Sequence, residues 1–327
     1  MSTYTGINVA DIVSEYGSYY REGQGNLDRL VRKLLGGSET LSLPGVKHIK
    51  TDATVYETAN VFSSEAVQAY QHGFTPKGSA TFVPNRIMLQ HVKVDQLYEP
   101  DSIEDNWLGF LAGKEGDELK DWPIVRYLLE QVLAERVAAD RETMIHNAGD
   151  ATAVTAGTAH PLDESFNGFD SVCAAAIDEH NPYPAHLVEN IGELTAEDIF
   201  DQVEAFTAAI DSKLRNTEMI YFMAPEMARA YLLRKRALGF YNVAADDQIN
   251  LKVDFTAHRV FGAPGMAGQT SFLFATPAQN ILHLTKRDFS ARNLKVQEQD
   301  RDVKVLADWW EGVGFADNDL LYVATAV

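Results

Sequence analysis

A single cysteine, Cys173, stands in the whole chain. One thiol closes no intrachain disulfide, so no disulfide framework holds this fold, and the count suits a reducing compartment. Long apolar runs are also missing. No stretch approaches the roughly 18 consecutive apolar residues of a membrane helix, so no span is expected. Basic residues are scarce: 28 Lys and Arg face 47 Asp and Glu, a formal charge of −19. Phosphate contacts need lysine and arginine, so the chain is a poor free nucleic-acid binder. Enclosing nucleic acid behind a repelling or locally neutral surface remains compatible with that charge. The opening MSTYTGINVADIVSEY has no basic region followed by an apolar core, so no secretory signal is expected. Internal repeats and low-complexity tracts are absent.

Catalytic signatures are missing as well. There is no GxxxxGK[ST] loop and no GxSxG elbow. The nearest glycine-rich stretch, GAPGMAG at 262–268, is followed by the strand-like SFLFAT, so it is expected to be a hairpin turn. His180 and His186 lie six residues apart, but Pro182 and Pro184 prevent a helical face between them, and no zinc spacing appears. They read as a solvated loop. Cys173, next to Ala174–Ala176, reads as a small buried hydrophobe. For Trp309 and Trp310 the expectation is one ring in the core and one at a subunit contact. No catalytic, cofactor-binding or metal-binding residue is assigned, and no cofactor is expected.

What the chain does have is core material: 46% hydrophobic residues over 327 positions, enough for two or three domains. Its centre is the stretch 121–150. Ile124, Leu128 and Val132 form one apolar row, and Val125, Leu129, Leu133 and Val137 form the next. Asp121 is expected to cap this helix, Pro123 to sit in its first turn, and Gly149 to end it. A helix over 123–148 would run roughly 39 Å at 1.5 Å per residue. Such a helix serves as a spine, with a sheet expected on its apolar face.

Around the spine, 1–49 reads as an arm of two short helices, at 7–20 and 27–35. Either it packs on its own domain or it reaches a neighbouring subunit. Residues 54–62 and 81–94 read as extended, an antiparallel ribbon with a short helical piece at 64–70 and a Gly73/Pro76/Gly78 turn cluster near its tip. Phe74, Phe82, Val83, Ile87 and Met88 are apolar groups on this protruding element. A two-stranded ribbon is marginal alone, so it folds back or lies on another chain. A helix capped by Asp101 or Ser102 precedes the spine. A long loop with a helix at 171–179 follows it. Thr195 and Asp198 are expected to cap another helix. Strands at 218–222, 255–261, 271–275 and 280–285, with a helix from Pro225, make 191–285 an α/β unit. The closing strands in 291–327 are expected to pair with 87–98.

This order of elements resembles the major capsid protein of tailed phages, the Hong Kong 97-type fold, over nearly the whole chain. The resemblance implies an α+β fold with an N-terminal arm (1–49) and an extended β-ribbon loop (50–91). It implies a peripheral domain (92–190 and 286–327) carrying the spine helix 123–148, and an axial domain (191–285). It further implies a structural, non-enzymatic role: pentamers and hexamers that tile an icosahedral head around double-stranded DNA. The partners implied are other copies of the chain, a separate scaffolding protein, a portal and decoration proteins. No membrane is involved. The location implied is the virion, after assembly in the host cytoplasm. Some relatives crosslink a loop lysine to a neighbour's asparagine. Lys77 near the loop tip and Asn318 in the closing turn are the residues of those types, and no crosslinking site is assigned to them. Two other readings stand beside this one: an encapsulin-like nanocompartment shell, and a soluble α/β enzyme built on 191–285.

Overall fold

The computed structural model describes residues 8–22, 25–63, 65–114, 121–146, 149, 151, 155, 157–238, 251–287 and 294–325. They form two compact units: 1–38, 91–142 and 285–311 make the first, and 39–90, 143–284 and 312–327 the second.

In the first unit, α1 (Val9–Tyr16) starts with a capping box. Asn8 Oδ1 accepts from Asp11 N–H at 3.0 Å, and the Asp11 carboxylate reaches back to the Asn8 N–H. A short π turn, Gly17–Arg21, leads toward α2 (Asn26–Leu35). Gly25 permits the sharp entry to α2 with φ +79°. Then come β4 (Gln90–Tyr98) and α3 (Pro100–Leu111). Neither Asp101 nor Ser102 is the N-cap of α3. Pro100 takes the first helical position, where its missing N–H costs nothing, so Glu99 becomes the cap.

The spine is helical over 124–145, in three pieces: α4 (Ile124–Arg126), a π segment (Tyr127–Leu133) and α5 (Ala134–Ile145). Pro123 is the N-cap, and in the first turn the Val125 N–H donates to Glu15 Oε2 at 3.4 Å. The expected Asp121 carboxylate cap does not form; the Asp121 carbonyl instead accepts from the Arg126 guanidinium. The helix ends at Ile145, before Gly149, and Ala148 lies outside the described residues. The π segment also changes which residues face inward. Val125, Leu129, Leu133 and Val137 are buried as expected, but Val132 is 38% exposed. A wider π turn advances less around the axis per residue than an α turn does. It therefore carries Val132 off the row that Ile124 and Leu128 define.

The sheet of this unit centres on β12 (Asp302–Phe315), which alternates buried and half-buried positions over its first ten residues. β11 (Leu294–Gln299) pairs with it antiparallel, Leu294 opposite Ala307 through Gln299 opposite Asp302. β4 also pairs with β12, as the sequence predicts.

The second unit holds β1 (Lys47–Thr51), paired with β10 (Ile281–Lys286). It also holds the ribbon of β2 (Val55–Ser63) and β3 (Ala80–Met88), in register without a bulge from Val55–Met88 to Ser63–Ala80. The piece expected to be helical at 64–70 is irregular and exposed over 65–70, and Ser64 lies outside the described residues. Seven residues with nothing to pack against do not meet the cost of nucleating a helix.

A six-stranded mixed sheet completes the unit, in the order β5 (His186–Leu187), β13 (Tyr322–Thr325), β9 (Phe272–Thr276), β6 (Ile220–Met223), β8 (Arg259–Gly262), β7 (Leu251–Lys252). One face packs under α7 (Ile199–Ala209) and α8 (Pro225–Ala237), with Val203, Phe206, Tyr221, Met223, Tyr231 and Leu273 buried together. The other face stacks Phe222 on Phe274 at 4.6 Å, with Phe169 of α6 (Phe169–Ala176) and Phe315 against Phe274.

Three expectations fail here. The GAPGMAG stretch is not a hairpin turn, because β6 lies between β8 and β9. β13 pairs with β9 and β5 and not with the strand before the spine. Asp198, not Thr195, is the N-cap of α7. Thr195 instead accepts from the Asp198 N–H at 3.2 Å, forming a turn ahead of the helix. The sheet thus draws β5 and β13 from outside 191–285. Among the described residues no helix is long and apolar enough to cross a membrane.

Candidate assembly surface

The ribbon has a fixed root and an unsupported tip. At the root, Thr58 Oγ1 donates to the Ala316 carbonyl at 3.3 Å, and Asn85 Nδ2 donates to the Phe315 carbonyl at 2.9 Å. Two glycines of β12 permit the close approach. A Cβ at Gly312 would meet the Met88 carbonyl oxygen at 2.7 Å, and one at Gly314 would meet Ile87 Cγ1 at 2.7 Å. Ile87 and Leu89 are consequently buried. The ribbon's other face is open. Phe82, Pro84, Arg86 and Met88 project from it, and Arg86 pairs with Glu57 directly across at 2.8 Å.

At the tip, Val67, Tyr70 and Phe74 are 87%, 93% and 94% exposed. Among the described residues, polar groups of the loop bond to one another. Lys77 Nζ donates to the Val67 carbonyl at 2.6 Å and pairs with Glu65 at 3.2 Å, and Gln68 Nε2 donates to the Thr75 carbonyl at 2.7 Å. Exposed aromatic groups gathered on one projection mark a surface built to be covered. Reading the sequence for apolar residues finds Phe74, Phe82 and Met88 on this surface, but counts Ile87 with them and passes over Val67 and Tyr70. The alternation of β3, with even positions outward, is the signal that separates Ile87 from Phe82.

The arm is placed differently. Ile12, Tyr16, Tyr20 and Leu30 are at most 2% exposed. Tyr16 Oη donates to the Leu294 carbonyl at 2.8 Å. Glu130, inside the π segment, accepts from Arg29 at 2.8 Å, from Tyr20 Oη at 3.1 Å and from Arg126 at 3.3 Å. Lys33 Nζ reaches the Glu130 carbonyl at 2.6 Å. Burial pushes the Glu130 carboxyl up, but the Arg29 hydrogen bond and the charges of Arg126 and Arg29 outweigh it and hold it below the usual range. Deeper in the same unit, Arg141 forms a two-bond pair with Glu311, which also accepts from Trp309 Nε1 at 2.8 Å. Both side chains are at most 2% exposed.

The residues with chemical potential do not converge. His180 sits beside Asp178 at 3.0 Å and is largely exposed, while His186 stacks on Tyr322 at 4.4 Å. Among the described residues no three His, Cys, Asp or Glu side chains group as metal ligands. Cys173 is buried on α6, and burial pushes its thiol well up, with the Asp170 charge adding to this. Trp309 is buried, and Trp310 is half-buried between the His91 ring at 4.6 Å and Lys286 Nζ at 4.3 Å. Asn318 is buried and donates to the Tyr183 carbonyl at 2.8 Å. Two clefts open in the second unit. One, of about 570 Å³, lies between the ribbon root and α6, along Arg86, Met88, Ser171, Ala175 and Asn181. The other, of about 430 Å³, is bounded by α7 and the turn before β8, along Glu204, Ile210, Asp211, Arg215 and His258.

No protein-family model and no curated protein matches the sequence. Solved structures do match the fold. The chain is similar to a protein of the satellite phage P4 procapsid that includes the size determination protein, with TM-score 0.58, 9% identity and 96% of each chain covered. It is similar to the capsid of a native GTA particle, with TM-score 0.56, 14% identity, and 88% of this chain and 91% of that one covered. The capsid of cyanophage A-1(L) matches with TM-score 0.50 and 11% identity, over 90% of this chain and 92% of that one. Over 88–96% of its length the chain therefore shares its α+β fold with these capsid proteins.

Proposed function

We propose that this chain is the structural major capsid protein of a tailed phage, assembling as pentamers and hexamers into an icosahedral head around double-stranded DNA. The observation that carries this reading is the ribbon tip, three almost fully exposed apolar side chains at the end of a projection held at its root, in a fold shared over most of the chain with capsid proteins. In this reading 1–49 is the arm, 50–91 the extended loop laid over the adjacent subunit, and 92–190 with 286–327 the peripheral domain. Residues 191–285 form the axial domain at the capsomer centre. The work is geometric and needs no catalytic group. Tip side chains leave water only when a neighbour covers them, so assembly is driven by apolar burial at about 25 cal/mol per Å². A separate scaffolding protein, a portal and decoration proteins complete the particle, which is built in the host cytoplasm and ends as the virion.

The test is analytical ultracentrifugation of the native chain, with microscopy of the heaviest fraction. Rings and closed shells are expected, with DNA inside native particles. A chain that stays monomeric or dimeric at high concentration and with a scaffolding partner overturns the reading. Shells holding a protein cargo and no DNA would make it a nanocompartment instead.

A further inference from the structure

The cleft of about 430 Å³ beside α7 contains a buried hydrogen-bond acceptor that its own chain does not use. His258 lines this cleft and is 1% exposed. Its Nδ1 lies 3.0 Å from the Thr217 carbonyl. A carbonyl only accepts, so Nδ1 carries the proton and Nε2 has the lone pair. Burial pushes the pKa of the ring down by more than the Thr217 bond raises it, and the Arg215 charge adds to the fall. The imidazole is therefore neutral at neutral pH. Among the described residues no group donates to Nε2. A buried acceptor without a donor costs free energy, which a donor from outside the chain would recover.

The rest of the wall has the same bias toward acceptors. Thr207 Oγ1 donates to the Val203 carbonyl at 2.7 Å and Thr256 Oγ1 to the Val253 carbonyl at 2.9 Å, so neither hydroxyl proton is open to a ligand. Glu204, Asp211 and Asp254 line the cleft against one cation, Arg215. Lys235 pairs with Asp254 at 2.7 Å, and the charge of Asp201, one turn before Glu204 on α7, acts on Glu204. Four carboxylates thus stand against two cations. The Glu204 carboxyl is pushed up by burial and next by the Asp254 charge. Ile210 and the exposed ring of Phe255, held with φ +58°, supply apolar surface, and a phenyl face attracts a cation. Among the described residues no three His, Cys, Asp or Glu side chains group as metal ligands, so a metal ion is not the match. We propose that this cleft binds a small aliphatic diamine. One ammonium donates to His258 Nε2, the surplus carboxylates balance both charges, and the methylenes lie against Ile210 and Phe255. The site lies within one chain and does not depend on the assembly reading.

Calorimetric titration of the full chain with butane-1,4-diamine at low salt tests it. Saturable binding of one molecule per chain is expected. Butane-1,4-diol, uncharged and of the same length, should not bind, and butylamine should bind about tenfold more weakly. Glu204→Gln, at an exposed position, should weaken the diamine about threefold, as for one partly screened charge. Arg215→Ala removes an opposing cation and should tighten it by a similar factor. Nitrogen NMR of the nine histidines should show the diamine moving the His258 Nε2 signal most. No saturable binding, equal binding of the diol, or an unmoved His258 overturns the proposal. So does Arg215→Ala abolishing the binding, because the cleft would then recognise an anion. Displacement of the diamine by magnesium at equal concentration also overturns it, since the site would then take any cation.

Discussion

The N-terminal helices and the ribbon tip carry the same kinds of side chain and meet opposite fates. Tyr16 and Tyr20 are 2% and 1% exposed, whereas Tyr70 and Phe74 are 93% and 94% exposed. The tyrosines of the arm have carbonyl and carboxylate partners within their own unit. The hydrogen bonds of Lys77 and Gln68 at the tip run from one part of the loop to another. Two segments that project from the core in sequence are therefore not equivalent. One completes its own chain, and the other is left for something else to complete. Stability measured on the isolated chain should depend steeply on the first kind of contact and hardly at all on the second.

The sharpest break should come from Arg141→Ala. It strands the Glu311 carboxylate, whose side chain is 0% exposed, and losing one member of a buried pair costs about 3–5 kcal/mol. Denaturant unfolding of the isolated chain reads it directly. Next is the ribbon root. Gly314→Val drives atoms into Ile87, already 2.7 Å from where a Cβ would stand, and such overpacking costs about 1–3 kcal/mol. An unchanged midpoint would mean that the root is looser than its hydrogen bonds indicate.

Glu130→Gln is smaller and dependent on pH. The folded carboxyl lies below its unfolded value of 4.5, so its stabilisation is complete above that value and fades as pH falls through the folded one. The variant should be less stable by about 1–2 kcal/mol at neutral pH and should converge with the parent in acid. Parallel stability curves across that range would contradict the pairing. Smallest of all is Tyr70→Ser with Phe74→Ser, expected to shift isolated-chain stability by no more than about 0.5 kcal/mol while abolishing shells in the microscope. A large loss of stability there would erase the contrast between tip and arm.

Local pattern reveals much of this molecule. The apolar spacing of Val125, Leu129, Leu133 and Val137 marks the buried side of the spine, and Pro225 marks the start of α8. The strands of the ribbon follow from their β-branched and aromatic content. Tertiary choices are less legible. Val132 belongs to the expected row until a π segment rotates it outward, and no residue type announces a π turn. GAPGMAG is short enough for a hairpin, and only the insertion of β6 between its flanking strands shows that it is none. Phe255 reads as the start of a strand because phenylalanine favours strands. The flanking Asp254 and Thr256 are the turn-forming signal that outweighs it. On the assembly surface, the distinction between Ile87 inside and Phe82 outside turns on strand parity, which is fixed only once the partner of β3 is known.

Pro84 bears on what kind of object such a ribbon can build. Leu89 N–H bonds to the Thr54 carbonyl at 2.8 Å. Counting outward by twos along the register makes Ala59 and Pro84 a pair without mutual hydrogen bonds. The Pro84 nitrogen thus faces away from β2, toward the free margin of β3. An ordinary residue there would offer a donor to any passing strand, and a nine-residue strand with an open donor at every second position is a template for edge-to-edge stacking. Proline removes that donor at the middle of the margin without costing the ribbon a rung. The margin of β3 is left with its donors interrupted at the centre, and the exposed rings of the tip offer a second means of attachment. A contact made by side chains at fixed places can close into a finite object, whereas backbone pairing along an edge repeats without a built-in end.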